Sequence, residues 1–331
     1  MKRREFCGAG LAALAGSALP YTRLFAATAA EVPAIGLDGK QLLLKPADVE
    51  DLRKRLRGAL LAAGAEGYDS ARLLWNRAFD RKPALIARCD GAADVIEAVR
   101  FARAQNLLTA VRGGGHSFSG QSVCDGGLVI DLSRMSGIRI DPLAKSARVE
   151  PGVRLAALDQ EAQSFGLVVP LGTVSDTGAA GLTLGGGFGR LTRKYGLACD
   201  HLIAADVITA DGRFVRASMT ENPDLLWALR GGGGNFGVVT SFQYRLRAVG
   251  PTVFGGSLVY PFAQARAVLA GYADFIATAP DELGVAAYLV PTPDQQRVVM
   301  LDVCYCGPVA DGERVIAPLR KLGKPIDDKL G

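Results

Sequence analysis

From residue 48 to 63 apolar side chains return every three or four positions, with Leu52, Leu56, Leu60 and Leu61 on one stripe. That spacing predicts an amphipathic surface helix, ended by the Ala- and Gly-rich stretch 62–67. Residues 83–89 read as a short strand and 92–105 as a helix that turns Val95, Ile96, Val99 and Ala102 to a core. Residues 108–111 return as a strand, so a strand, helix and strand unit runs straight into Arg112-Gly113-Gly114-Gly115-His116-Ser117. Three short strands are predicted next, over 128–132, 138–140 and 147–149, then a helix over 155–165. Strands 205–209 and 214–217 flank Asp211-Gly212, the strongest hairpin signal in the chain. Strand 238–246 follows, and Pro251 marks a boundary. Beyond it lie a strand at 255–260, a helix at 263–277, strands at 285–290 and 297–305, and a helix starting near Asp311. Helices mixed with short strands predict an α+β fold, not a doubly wound sheet. One sheet pair and one or two helices make the last unit thin, so it is expected to be incomplete.

Composition narrows the function classes. The 331 residues are 49% hydrophobic and 21% charged, with 41 glycines, which suits two globular domains. The net charge is +5, and residues 1–29 carry Lys2, Arg3, Arg4 and Arg23 against Glu5, so the remainder is close to neutral and no nucleic-acid partner is indicated. Cys89, Cys124, Cys199, Cys304 and Cys306 follow Cys7 as an odd, scattered set unsuited to a disulfide framework. Cys304 and Cys306 share one strand face, but no second pair or neighbouring His completes a zinc site, so no metal is expected.

The first residues, Met-Lys-Arg-Arg-Glu-Phe-Cys, precede an apolar run over 8–20 and the small residues 26–30. Arg3 and Arg4 followed by Glu5 and Phe6 resemble a twin-arginine export signal, with cleavage after Ala29 in Ala27-Thr28-Ala29. The apolar run is shorter than the roughly 20 residues that cross a bilayer, so export to the periplasm or beyond is expected, with no stable membrane span. Gly8, Gly10 and Ala13 formally match a dinucleotide-binding fingerprint. No strand can precede them and no acidic residue follows at the ribose-binding distance, so a Rossmann reading fails.

Glycines concentrate in four loops, 113–115, 178–181, 185–189 and 231–237. One such loop would be explained by a tight turn. Four suggest that bare backbone approaches one elongated ligand, since glycine has no Cβ and successive amides can cradle a pyrophosphate. His116, one of two histidines, follows the first loop between Arg112 on one side and Ser117 and Ser119 on the other. His201, after Asp200 at a strand start, is assigned a structural or surface role.

Through these motifs the chain resembles the berberine bridge enzyme-like group of FAD-linked oxidases, within the flavoprotein superfamily of vanillyl-alcohol oxidase type. Tyr68, Ala71, Arg72, Trp75, Asn76, Pro83, Ile86 and Cys89 are similar to that group's lead segment, and Arg112 to Ser117 with Gly120 to its histidyl-flavin loop. Asp176-Thr177-Gly178, the run Gly185-Gly186-Gly187-Phe188-Gly189, then Tyr195-Gly196-Leu197 and Asp200, resemble its second flavin segment. The run from Arg230 through Asn235-Phe236-Gly237-Val238-Val239-Thr240 resembles the third. The resemblance covers residues 65 to 330 and implies a two-subdomain FAD-binding domain of PCMH type over 79–249. A signal over 1–29 and a lead segment over 30–78 would precede it, and the start of a substrate domain, an antiparallel sheet plus helices, would follow over 250–331.

It further implies FAD bonded covalently to His116; the neighbouring charge of Arg112 would by itself help keep that imidazole neutral. Gly113, Gly114, Gly115, His116 and Ser117 would hold the pyrophosphate through their amides. Thr177, Gly178, Gly181, Gly185, Gly187 and Val239 would line the flavin. Val174 stands where some relatives place a second, cysteinyl attachment, so a single bond is implied. Thr177, at the position that influences oxygen access, favours an oxidase that passes hydride from an alcohol, sugar or related small molecule to flavin and on to molecular oxygen. Members of the group continue past this length with more sheet and a returning tail that supplies the general base. No catalytic base is therefore assigned, and the alternatives are a dehydrogenase with another acceptor or a non-catalytic flavin-binding remnant. A partner or second copy covering the unfinished sheet is also expected.

Overall fold

The strand, helix and strand unit forms as the pattern predicts. In the computed structural model, which describes residues 30 to 331, Leu85–Arg88 leads into helix Ala92–Ala104 and back into Thr109–Arg112. Both strands pair in parallel with Leu128–Asp131, which lies between them. The helix carries the chain back so that the two outer strands run the same way, and the long loop 113–127 makes the crossover into the strand between them. Ala59–Ala62 adds an antiparallel edge to complete the four-stranded sheet. Helix Ala92–Ala104 buries Val95, Ala98, Val99 and Ala102, while Ile96 packs at the margin of the same core.

Leu60 and Leu61 depart from expectation. The helix runs only over Pro46–Arg55, and the chain is extended at Leu56 before the strand Ala59–Ala62. The cause is tertiary. The Asp94 carboxylate, 1% exposed, accepts the amides of Arg57 at 2.9 Å, Gly58 at 3.1 Å and Asp90 at 2.8 Å. Gly58 is pressed so closely on Arg88 that a Cβ would meet that carbonyl oxygen at 1.8 Å. The two leucines then point to opposite faces, Leu60 into one core and Leu61 against another.

A second, five-stranded sheet is antiparallel throughout, in the order Phe214–Ser218, Leu202–Ile208, Val238–Arg245, Ser146–Val149, Ile138–Asp141. The Asp211-Gly212 turn joins the first two, with Gly212 at φ +76° where a side chain would be strained. Helices Leu155–Gln163, Ala179–Leu184 and Pro223–Leu229 contribute to the core on one face, around Leu158, Val207, Phe242 and Tyr244. A third sheet, Leu283–Pro291, Arg297–Tyr305, Phe254–Pro261 and Asp327–Asp328 in spatial order, packs with helices Ala265–Thr278 and Gly312–Arg320 around a core of its own. Residues 31–331 form one compact unit. The export signal expected over 1–29 lies outside the described residues. No helix among the described residues is long and apolar enough to cross a membrane.

Candidate functional site

His116 stands in the loop that leaves strand Thr109–Arg112, and three layers of contact fix that loop. Beneath it, the Arg112 guanidinium donates to the carbonyls of Ala71 and Leu73 and lies 3.8 Å from the fully buried carboxylate of Asp131. Gly115, at φ +71°, rests on that guanidinium, whose Nε would sit 2.9 Å from a Cβ there. From the lead segment, the Trp75 amide donates to Gly115 O at 2.9 Å and the Asn76 side chain to Phe118 O at 2.7 Å. Opposite, the loop touches the second glycine segment backbone to backbone: a Cβ on Gly114 would come within 2.4 Å of Gly178 Cα, and one on Gly178 within 2.7 Å of Gly114 Cα. Only glycine permits that approach on both sides.

The second and third segments meet in turn. Gly233 donates its amide to Leu184 O at 2.8 Å, at the end of the helix that Gly178 begins. Between the three segments lies a cavity of about 700 Å³, within the size range of cofactor sites. Gly113, Gly114, Gly115, His116, Ser117, Thr177, Gly178, Gly181, Gly185 and Val239 all line it. Two of the sequence candidates do not. Arg112 supports the loop from below, and Gly187 is a turn glycine at φ +74° whose Cβ position is filled by Ala198 and Leu182. The remaining wall includes Phe118, Gln121, Pro151, Asn235 and Val238, and no Lys, Arg, Asp or Glu belongs to it. An anionic ligand in this space would be held by amides and neutral polar groups, the chemistry of a backbone cradle. Gly181 and Gly234 face it with no atom within 4 Å of a built Cβ.

The imidazole has a defined setting. Trp75 stacks on it with ring centroids 4.5 Å apart and planes inclined by 21°. Nε2 is buried without a hydrogen-bond partner, and Asp176 Oδ1 lies 3.7 Å away. Neither neighbour was assigned a role at His116 from the sequence. The sequence signals are the places of Trp75 in the lead segment and of Asp176 at the head of the second flavin segment, neither of which points to contact with the imidazole.

Residues outside the cavity take structural roles. His201 is 1% exposed, with Nε2 3.0 Å from Tyr195 O, and burial followed by the Arg247 charge holds its pKa below the usual 6.5. Burial pushes the Cys124 and Cys304 thiols up to about 11, and it raises Cys89, Cys199 and Cys306 as well. Thiols in that state are poor nucleophiles and poor metal ligands. No cluster of His, Cys, Asp or Glu among the described residues could hold a metal ion.

An α+β scaffold whose glycine segments close on one cavity without charged side chains in its wall suits a flavin-binding protein. Comparison with known proteins agrees: residues 83–218 match the sequence profile of a FAD binding domain. The (R)-6-hydroxynicotine oxidase of Paenarthrobacter nicotinovorans is 36% identical over 281 residues, which are 83% of this chain and 60% of that protein. The crystal structure of 6-hydroxy-D-nicotine oxidase from Arthrobacter nicotinovorans superposes with a TM-score of 0.79 at 34% identity, over 83% of this chain and 61% of that one. The Physcomitrella patens berberine bridge enzyme-like protein 1 gives 0.78 at 26% identity, over 84% and 61%. Xylooligosaccharide oxidase from Myceliophthora thermophila, solved with xylobiose, gives 0.76 at 29%, over 86% and 61%. The chain belongs to the FAD-linked oxidoreductases of the berberine bridge enzyme-like kind, and it spans about 60% of the length of these relatives.

Proposed function

We propose that this chain carries FAD bonded covalently through His116 and forms the flavin-bearing part of an oxidase acting on an alcohol, sugar or related small molecule. The observation that carries the reading is the convergence of residues 113–117, 177–185 and 233–239 on one cavity that includes His116 in its wall. Bound there, FAD would accept hydride from the substrate and return the electrons to molecular oxygen. The residues' part is positional. Amides of Gly113, Gly114, Gly115 and Ser117 would hold the pyrophosphate, Thr177, Gly178, Gly181, Gly185 and Val239 would line the flavin, and His116 would supply the attachment nitrogen. The relatives named for nicotine derivatives and xylooligosaccharides support a small organic substrate and leave its identity open.

No carboxylate, lysine or tyrosine among the described residues lines the cavity, so none is proposed as the general base. Twin-arginine export, inferred from residues 1–29, fits the same reading, because a flavoprotein loaded with its cofactor must cross the membrane folded.

The test is acid precipitation of the purified protein. Flavin fluorescence should stay with the pellet in the wild type and move to the supernatant in His116→Ala, and peroxide release should accompany substrate oxidation. Flavin lost from the wild-type pellet would refute covalent attachment. Substrate turnover with an artificial acceptor but no peroxide would replace the oxidase by a dehydrogenase.

A further inference from the structure

A neutral imidazole forms a new bond through whichever nitrogen carries the lone pair, so something must hold the proton on the other one. In His116 one nitrogen is singled out. Nε2 is buried and lacks a hydrogen-bond partner, and the nearest carboxylate oxygen, Asp176 Oδ1, stands 3.7 Å from it. Trp75 covers one face of the ring. The indole is tied to the same loop through its own amide, which donates to Gly115 O, and through its neighbour Asn76, which donates to Phe118 O. Asp176 comes from a different segment. It lies in the turn closed by Thr177 N to Val174 O at 3.0 Å, and its side chain is 52% exposed. It reaches the imidazole because Gly114 and Gly178 are in backbone contact two residues away on each chain segment.

We propose that Asp176 and Trp75 are positioning residues for the attachment of FAD to His116, an inference that rests on the covalent reading given above. A movement of about 1 Å brings the Asp176 carboxylate to hydrogen-bonding distance of Nε2–H. The proton is then held on Nε2, the lone pair is left on Nδ1, and the carboxylate makes the ring more basic, as in other carboxylate–histidine pairs. Stacking on Trp75 fixes the ring plane while this happens.

The bond change balances. A bond forms between Nδ1 and the 8α-carbon of the flavin, and one C–H bond at that carbon breaks. The Nε2 proton leaves by way of Asp176, the electron pair and two protons end on the flavin ring, and dioxygen removes them as hydrogen peroxide.

The test follows attachment itself, not turnover. The purified full chain, wild type and variants, is incubated with FAD in air. Intact mass reports covalent flavin with time, and flavin released by acid reports the non-covalent fraction. Asp176→Asn and Asp176→Ala should attach FAD roughly ten- to a hundredfold more slowly while still binding it non-covalently. Asp176→Glu, which restores a carboxylate, should recover most of the rate, and Trp75→Ala should slow attachment as well. NMR of the flavinyl peptide should place the bond at Nδ1. Attachment at the wild-type rate in both Asp176→Asn and Asp176→Ala, or a bond through Nε2, overturns the proposal. A wild type whose flavin is entirely acid-released fails at the earlier step, the covalent reading, and is told apart because neither it nor any variant then gains the mass of a flavin.

Discussion

Replacing Gly114 by alanine probes the contact on which the cavity depends. The added methyl carbon would lie 2.4 Å from Gly178 Cα and 2.9 Å from Gly178 N, both backbone atoms that cannot swing aside. Carbon atoms in ordinary contact are about 3.5 Å apart, so the two loops must separate by about 1 Å. Overpacking of this kind costs about 1–3 kcal/mol. At 1.4 kcal/mol per factor of ten, that is about 5- to 150-fold in the folding equilibrium, or in FAD affinity where the strain is relieved at the cavity. The assay is a pair of measurements on Gly114→Ala: the thermal midpoint, and the flavin-to-protein ratio after gel filtration. Both should fall, the midpoint by about 2–4 °C per kcal/mol for a chain of this size. Gly181→Ala is the control. It lies inside helix Ala179–Leu184 with no atom within 4 Å of its built Cβ. Alanine there should stabilise the flavin-free chain by about 0.5–1 kcal/mol, yet lower FAD retention because the methyl enters the cavity. If Gly114→Ala keeps both the midpoint and the flavin ratio of the wild type, the reasoning from loop contact to cofactor site is wrong.

Two further outcomes are expected elsewhere in the molecule. The Tyr244 hydroxyl and Thr183 Oγ1 pair at 2.8 Å in a fully buried setting; Tyr244→Phe should cost about 1–3 kcal/mol in urea unfolding by orphaning Thr183, and the double variant Tyr244→Phe/Thr183→Val should cost less than the two single changes summed. His201 has a folded-state pKa below 6.5, so the unfolded chain takes up its proton first as pH falls. The stability it contributes is complete above 6.5 and is lost progressively below that value. The unfolding midpoint should therefore drop between pH 7 and pH 5.5, and His201→Gln should flatten that slope; an unchanged slope would assign the effect to other groups.

The elements that sequence periodicity located well are those whose partners lie close along the chain. The hairpin around Asp211-Gly212 closes through a short turn, and in the unit from Leu85 to Arg112 one helix returns the chain to the same sheet, where Leu128–Asp131 then fills the place between the two strands. The stretch 48–63 misled because its apolar spacing suits a helix and a strand alike. The deciding contact, Asp94 with the amides of Arg57 and Gly58, is made by a residue 36 positions or more away.

The glycine loops carry the same ambiguity at the site. Gly189 is glycine because Leu171 O would lie 1.8 Å from a Cβ, whereas Gly181 has open space at that position and faces the cavity. In sequence the two look identical, since steric exclusion by the protein and clearance for a ligand both select a missing side chain. The histidine was legible because it is rare and follows a glycine run. Its orienting neighbours were not, because Trp75 reaches it from 41 residues before, through the lead segment's bonds to Gly115 and Phe118, and Asp176 from 60 residues after, where Gly114 meets Gly178. A candidate imidazole can thus be located from its own loop, while the groups that surround it follow from how separate segments are pressed together. Substitutions at Gly114 and Gly178 should accordingly disturb the chemistry of His116 without touching the residue itself.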